Sequence, residues 1–203
     1  MALNVIAFII CYLLGSVSFS VVLAKALKGI DIRQHGSGNA GATNTLRVLG
    51  KGPAILVLAL DVLKGIAAVW IGRWLGGDSE WVAALCGLAA IIGHNWPIYF
   101  RFRGGKGIAT TIGVMATLIF FPALFAGIIA ILSIVFTRYV SLGSLIFVLL
   151  TPIFFVFTND IGPYFWASLI ICAFAFWRHR TNIVKLAQGK ENKLGSKGGT
   201  RVV

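Results

Sequence analysis

The sequence predicts an all-α integral membrane protein with seven transmembrane helices, some of them short. Three observations support this class: 58% of the 203 residues are hydrophobic, only 12% are charged, and the mean hydropathy is +0.91. In soluble globular domains about a quarter of all residues are charged. We expect one transmembrane domain over residues 1–193. We expect a flexible tail over residues 194–203, part of it an addition to the natural protein.

Seven apolar segments divide the chain, at 3–24, 54–72, 81–98, 107–121, 123–137, 140–158 and 161–177. The first is long enough to span a bilayer. The run 107–137 is uncharged and too long for one ordinary span. Pro122 is expected to divide it, because proline breaks helices. At 1.5 Å per residue each half is about 22 Å long, so both helices should be short.

Loop charges predict the orientation. The connections 25–52, 99–106 and 138–139 and the tail 178–203 hold 16 of the 18 Lys and Arg residues. With seven spans and the N-terminus outside, every basic connection and the C-terminus lie in the cytoplasm, as the positive-inside rule requires. We therefore expect a multi-pass protein of the cytoplasmic (inner) membrane.

The net charge of +12 is compatible with nucleic acid or with anionic lipid. In so hydrophobic a chain it favours membrane lipid and anionic substrates as partners, and no nucleic acid.

Two charged residues lie inside the second segment. Asp61 and Lys64 are three residues apart, so they share one face of a helix. An isolated charge in the membrane is costly, and pairing lowers that cost. One interpretation is a proton or ion relay, and the other is a structural pair that ties this helix to its neighbours. The structural interpretation is favoured because the two charges can satisfy each other.

The longest basic connection contains the first motif, HGSGNAGATNTLR, at residues 35–47. Its glycines spell GxGxxG, but that fingerprint indicates dinucleotide binding only between a strand and a helix, and here it follows a transmembrane segment. Its polar groups and backbone N–H groups suit phosphate, and Arg47 offers a bidentate fork. The candidate binding residues are Ser37, Gly38, Asn39, Thr43, Asn44 and Arg47. The alternative is a flexible polar linker.

The second motif is GHNWPIYFRFRGGKGIAT, at residues 93–110. Three glycines bracket Lys106, and a glycine turn that opens into a helix directs N–H groups and a positive dipole end at anions. The motif is no Walker A loop, because Gly107 and not Ser or Thr follows the lysine. The alternative is an interfacial turn that anchors the chain to headgroups. Candidate binding residues are His94, Asn95, Gly104, Gly105, Lys106 and Gly107.

The third motif, RHRTNIVKLAQGKENK at residues 178–193, follows the last span. His179 and Asn182 are three residues apart and could face one side of a helical extension. The alternative is a basic juxtamembrane tail held by anionic lipid. Topology also places Ser144 at this end of the molecule, either as a substrate contact or as a helix cap.

Only two acids, Asp31 and Glu191, lie on the predicted cytoplasmic face. No pair of carboxylates could hold Mg²⁺, and no His, Cys and acid set has zinc spacing. We therefore expect no metal and no cofactor. No Ser-His-Asp triad is recognisable, and no histidine is followed four residues later by aspartate, which argues against acyltransferases built on that pair.

The three motifs together resemble the bacterial membrane glycerol-3-phosphate acyltransferases of the acyl-phosphate-dependent (PlsY) type, over about residues 3 to 193. The resemblance implies transfer of a fatty acyl group from a long-chain acyl phosphate to the 1-hydroxyl of glycerol 3-phosphate. The products would be 1-acylglycerol 3-phosphate (lysophosphatidate) and phosphate, in phospholipid synthesis. An enzyme that produces acyl phosphate is a further expected partner.

Residue roles follow from the same resemblance. It implies that Ser37 and Arg47 are functional, that residues 104–107 bind glycerol phosphate, and that His179 and Asn182 belong to the active site. Glu191 is expected to be structural. We count Ser37, Arg47, Lys106, His179 and Asn182 as the catalytic set.

The expected mechanism is direct attack of the glycerol hydroxyl on the acyl carbonyl, with His179 or a substrate phosphate as the base. A rival interpretation is a small membrane anion transporter, since helices interrupted by glycine bind anions in some transporters. A second rival is a non-catalytic scaffold that binds anionic lipid through its basic loops.

Overall fold

The computed structural model describes residues 1–77, 79–158 and 161–195, and within those ranges every regular element is helical. The α-helices are α1 (Ala2–Ser16), α2 (Phe19–Lys28), α3 (Ala42–Leu49), α4 (Lys51–Gly76), α5 (Glu80–Asn95), α6 (Ile108–Leu118), α7 (Phe120–Thr137), α8 (Val140–Val156), α9 (Pro163–Arg178) and α10 (Arg180–Ala187). One-turn 3₁₀ helices lie at Ile32–Gln34 and Ile98–Phe100. The all-α prediction is confirmed.

Among the described residues, four helical stretches are long and apolar enough to cross a membrane: Ala2–Lys28, Lys51–Gly76, Glu80–Phe100 and Phe120–Thr137. Helices α6 and α8 are apolar but shorter. Seven crossings and the sides on which the termini lie stay predictions. Of the predicted tail, residues 196–203 lie outside the described residues, and Leu194 donates its N–H to the carbonyl of Arg138 at 2.7 Å.

The first predicted segment is one span by length but two helices in structure. The chain leaves helical geometry at Val17 and Ser18, both of which are extended. No proline stands at this break, and Gly15 and Ser16 directly precede it. The ammonium of Lys64 donates to the carbonyls of Gly15 and Val17, at 3.0 and 2.8 Å. A buried cation therefore satisfies the carbonyl groups that the break leaves without helical partners.

The prediction that Pro122 divides residues 107–137 is wrong. The break lies at Ile119, whose φ of −142° is non-helical, and Pro122 is the third residue of α7. Proline is tolerated there because the N–H groups of a first turn have no intrahelical acceptor. The two helices are consequently unequal, with 11 residues in α6 and 18 in α7.

Helix α5 lies at the centre of the bundle and packs against α1, α4, α6 and α9. Glycine permits its close contact with α1. A Cβ at Gly15 would come within 2.1 Å of the Ala90 carbonyl oxygen, and one at Gly93 within 2.2 Å of the Tyr12 carbonyl oxygen. Small residues are the usual means of close helix contact in membranes. This contact fixes the end of α5, from which the second motif begins.

Candidate active site

The three motifs meet at one end of the bundle, joined by two arginines. Arg33, in the connection that holds the first motif, donates through Nη1 to the carbonyl of Phe100 at 2.8 Å, within the second motif. Arg178, at the start of the third motif, donates to the carbonyls of Gly104 and Gly105 at 3.3 and 2.5 Å. We call residues 104–107 the glycine loop. Both neighbouring motifs are therefore bonded to the second one.

The first motif is shaped by the amide of Asn44, which is fully buried. Its Oδ1 accepts a hydrogen bond from the Ser37 N–H at 2.8 Å. Its Nδ2 donates to the carbonyls of Ile32 and His35 at 3.1 and 3.0 Å. Asn44 thus uses both amide hydrogens to fold the loop. It leaves the Ser37 side chain exposed at the surface.

The glycine loop lies against the end of α5 and against the first motif. The Gly105 N–H donates to the carbonyl of His94 at 3.2 Å. A Cβ at Gly105 would lie 2.3 Å from both the Ala40 carbonyl oxygen and His94 Nε2. Gly107 has a φ of +81° and stands directly before α6. No side chain other than hydrogen fits at position 105, which explains the glycine there.

Lys106 extends from this loop toward the third motif. Its Nζ donates to Oδ1 of Asn182, and Nδ2 of Asn182 donates to Oε1 of Glu191 at 2.8 Å. Burial lowers the pKa of Lys106 to about 8, and Glu191 opposes this shift, while the positive charges of Arg178, Lys185 and Arg47 add to it. Lys106 therefore remains a cation at neutral pH, and Arg47 is close enough to lower its pKa.

His179 is buried where α9 ends and α10 begins. Its Nδ1 lies 2.8 Å from the carbonyl oxygen of Ala175, and since a carbonyl only accepts, Nδ1 carries the hydrogen. Nε2 is left as the acceptor. Burial lowers the pKa of His179 to about 4, with the charges of Lys106 and Arg178 adding to the shift. The ring is neutral at pH 7.

Two members of the predicted catalytic set keep their polar side-chain atoms unengaged. In the described part of the chain, neither Ser37 Oγ nor the Arg47 guanidinium has a hydrogen-bond or ion-pair partner. Arg47 is partly buried in the last turn of α3 and Ser37 is exposed. The positive charge of Arg47 acts on Lys106, and a free guanidinium near a lysine ammonium suits a phosphate ester.

Three of the other predicted binding residues, His94, Asn95 and Ser144, lie deeper. His94 and Asn95 are buried, and Oδ1 of Asn95 lies under Gly107, 2.8 Å from where a Cβ would be. Ser144 is also buried, and its Oγ donates to the Val140 carbonyl at 2.8 Å inside α8, so it does not cap that helix. Substrate contacts by these residues, and by Gly38, Asn39, Thr43 and Asn44, stay predictions.

The sequence model of the glycerol-3-phosphate acyltransferase family matches residues 5–189. The chain belongs to that family. It is 62% identical over 194 residues to a glycerol-3-phosphate acyltransferase of Shouchella clausii, which covers 92% of this chain and 93% of the relative. It is 60% identical to one of Halalkalibacterium halodurans, over 93% of this chain and 94% of the relative.

Two crystal structures of PlsY (YgiH), an integral membrane glycerol 3-phosphate acyltransferase, have the same fold. The glycerol 3-phosphate form matches with a TM-score of 0.89 and 39% identity, over 95% of this chain and 96% of the other. The lysophosphatidic acid form matches with a TM-score of 0.87 and 38% identity, over 96% and 97%. The resemblance to this acyltransferase family is confirmed.

Two arginines of this acyltransferase chain were not singled out by the sequence. Arg178 places its guanidinium 5.3 Å from the Trp96 ring centroid while it binds the glycine loop. Arg33 forms a salt bridge with Asp31 at 2.7 Å and holds the first motif on the second. A basic residue beside His179 was a visible signal for Arg178. Its acceptors are backbone carbonyls, which no sequence pattern marks.

Proposed function

We propose that this protein transfers a fatty acyl group from acyl phosphate to the 1-hydroxyl of glycerol 3-phosphate, giving 1-acylglycerol 3-phosphate and phosphate without a metal ion. The observation that carries the proposal is the junction of the three motifs in a chain of the glycerol-3-phosphate acyltransferase family. Arg178, next to His179, binds the glycine loop, and Lys106 of that loop binds Asn182. The related PlsY structures, in a glycerol 3-phosphate form and a lysophosphatidic acid form, represent the acceptor and the product.

The charges of the site support phosphate-bearing substrates. The side chains around Lys106 are mainly cationic, and Glu191, the acid beside it, accepts from Asn182. Two phosphate groups, one on each substrate, would be neutralised by Arg47, Lys106 and backbone N–H groups. The basic connections that carry these residues place the site on the cytoplasmic side of the membrane in our proposal.

An apolar groove beside the third motif supports a lipid substrate. It has a volume of about 300 Å³ and lies between α8, α9 and α10, with Leu145, Phe176 and Ile183 among its lining residues. Phe176 and Ile183 stand on either side of His179 and Asn182 in the chain. We place the acyl chain in this groove, so that its carbonyl reaches the polar site while its tail stays among apolar side chains.

In the proposed mechanism the glycerol hydroxyl attacks the acyl carbonyl, the new ester C–O bond forms, and the bond to phosphate breaks. Lys106 and Arg47 stabilise the developing oxyanion and the leaving phosphate. Nε2 of His179 accepts a hydrogen bond from the attacking hydroxyl and orients it. With a pKa of about 4, His179 is a weaker base than a phosphate, whose second pKa is about 6. The hydroxyl proton therefore goes to a substrate phosphate oxygen.

The donor is tested directly. Purified protein receives glycerol 3-phosphate with acyl phosphate, acyl-CoA or acyl carrier protein thioester, without added metal, and lysophosphatidate is quantified. We expect product with acyl phosphate and at least about tenfold less with either thioester, because phosphate is already a good leaving group and the site binds phosphate. No product with acyl phosphate would overturn the proposal, and activity with acyl-CoA alone would reassign the donor.

His179→Ala and His179→Gln test the proposed base. The glutamine amide oxygen reaches the position of Nε2, so it can orient the hydroxyl but cannot take its proton. We expect kcat to fall about 10²-fold in the alanine variant. In the glutamine variant we expect kcat to fall by about tenfold or less. The acid limb of the kcat profile should stay near pH 6 in both. The opposite result would identify His179 as the base: kcat falls equally in both variants, and the pH profile of kcat has an acid limb near pH 4 in the wild type alone.

A further inference from the structure

A buried cluster of three side chains lies directly beneath the glycine loop. Lys64 Nζ is 2.7 Å from Asp61 Oδ1 and 3.0 Å from His94 Nδ1. The same ammonium donates to the carbonyls of Gly15 and Val17 at the break between α1 and α2. All three side chains of the cluster are at most 5% exposed. The cluster joins α1, α4 and α5 at the end of the bundle where the motifs meet.

The contact with Lys64 assigns the tautomer of His94. An ammonium nitrogen has no lone pair, so the Nδ1 of His94 that faces it carries no hydrogen, and the ring hydrogen lies on Nε2. Lys64 has three N–H groups for four acceptors, so Nδ1 shares one of them with an oxygen acceptor. The Asp61 oxygen is 3.6 Å from Nδ1, which is too long for a hydrogen bond. The N–H of His94 therefore points away from the cluster.

The Nε2 edge of His94 faces the glycine loop. A Cβ at Gly105 would lie 2.3 Å from Nε2, and no side chain or backbone group in the described part of the chain accepts a hydrogen bond from it. The backbone of the same residue is also in contact with the loop. Its carbonyl accepts the Gly105 N–H at 3.2 Å and would lie 2.0 Å from a Cβ at Gly104. His94 thus supports the loop through both its ring and its main chain.

We infer that Asp61, Lys64 and His94 are positioning residues for glycerol 3-phosphate: they fix the His94 ring under Gly105, and the ring sets the position of the glycine loop. The inference rests on the proposed function, because that function makes the loop the acceptor site. Lys64 has a structural role at the break between α1 and α2, where it binds the carbonyls of Gly15 and Val17, but that role does not require its contact with the His94 ring. The direction in which His94 faces links the pair to the loop.

His94→Asn separates the two roles of the ring. The asparagine Oδ1 takes the position of Nδ1 and keeps an acceptor for Lys64, while the edge under Gly105 is lost. We expect the Kd for glycerol 3-phosphate, measured by calorimetry in detergent, to rise about 10- to 100-fold, as for a misplacement of about 1 Å. The KM for glycerol 3-phosphate should rise by the same factor. The KM for the acyl donor should change less than about threefold, because the acyl groove is not touched. A fall in kcat is expected alongside, because Lys106 lies in the same loop and moves with it.

A second variant, Asp61→Leu with Lys64→Met, removes both charges together and leaves no buried charge unpaired. The carbonyls of Gly15 and Val17 lose their donor in it, so its Tm is measured together with its substrate constants. This variant should also bind glycerol 3-phosphate more weakly, while the KM for the acyl donor stays unchanged. Thr151→Val is the matched control. Thr151 is buried and donates to the Phe147 carbonyl in α8. Its replacement removes one buried polar group and should leave the KM values for glycerol 3-phosphate and for the acyl donor unchanged.

An unchanged Kd for glycerol 3-phosphate in folded His94→Asn would overturn the inference. Equally weaker binding of both substrates, together with a lower Tm, would also overturn it, because that pattern indicates a general structural defect. Since Kd is measured without any acyl donor, absence of turnover with acyl phosphate would count against the proposed donor and not against the positioning role. A wild-type protein that binds no glycerol 3-phosphate would overturn both.

Discussion

Replacing Lys106 with methionine is expected to lower kcat/KM for glycerol 3-phosphate by about 10³-fold, as for removal of a preorganised donor at a developing oxyanion. Methionine keeps most of the volume but removes the charge that lies between the glycine loop and Asn182. Asn182 keeps its hydrogen bond to Glu191, so the third motif should stay folded. Steady-state kinetics with a thermal melt checks both expectations.

Lys185→Met is the matched control for Lys106. Lys185 is exposed on α10, and its positive charge is one cause of the lowered pKa of Lys106. Its removal should change kcat/KM less than about threefold, as for a surface charge. Equal losses in the two variants would show that net charge, and not the position of Lys106, matters.

The pKa of Lys106 adds a second measurement. Because the free enzyme holds this pKa at about 8, kcat/KM for glycerol 3-phosphate should fall above pH 8 as the ammonium loses its proton. Removing the neighbouring positive charge of Lys185 raises the pKa of Lys106, so the alkaline limb should move to higher pH in Lys185→Met. If the alkaline limb does not move, it reports the titration of a group other than Lys106.

Gly105→Ala is expected to raise the KM for glycerol 3-phosphate about 10²-fold, the effect of moving a binding loop by about 1 Å. The added methyl group would lie 2.3 Å from the Ala40 carbonyl oxygen and from His94 Nε2, so the loop must move off the end of α5. Gly105 is not among the glycines with positive φ. The effect therefore comes from the clash and not from backbone strain.

Gly127→Ala is the control for the glycine substitution. Gly127 lies within α7, and a Cβ there would have no atom within 4 Å. The change should leave both KM values unaltered and raise stability by up to about 1 kcal/mol, since alanine is the better helix former. If Gly105→Ala were as active as Gly127→Ala, the glycine loop would not be the acceptor site.

Much of this protein could be predicted from local features of its chain. Hydropathy predicted the all-helical membrane fold, because the lipid environment leaves helices as the simplest way to satisfy backbone groups. The three motifs were visible as glycine-rich or basic stretches, and the scarcity of acids directed attention to phosphate. The grouping of the motifs at one end followed from counting spans. These features depend on composition and order, which the sequence contains in full.

Local patterns missed two helix breaks. Pro122 was expected to end a helix, but the chain breaks at Ile119 and accommodates the proline in the next first turn. The break at Val17 follows Gly15 and Ser16, but the group that satisfies its carbonyl, Lys64, is 47 residues away and has no local signal. The motif also did not reveal that both amide hydrogens of Asn44 bind carbonyls within the loop, while its contact with substrate stays a prediction.

Hydropathy, charge and motif order were enough to assign the all-α membrane class and the family, and to propose the residues that carry the chemistry. The contacts between those residues follow only from the way the helices pack. Lys106 and Asn182 are 76 positions apart, and their contact exists because α5, α6 and α9 pack together. The low pKa of His179 and the orientation of His94 have the same origin. Burial and neighbouring charges belong to the folded arrangement and not to the order of residues.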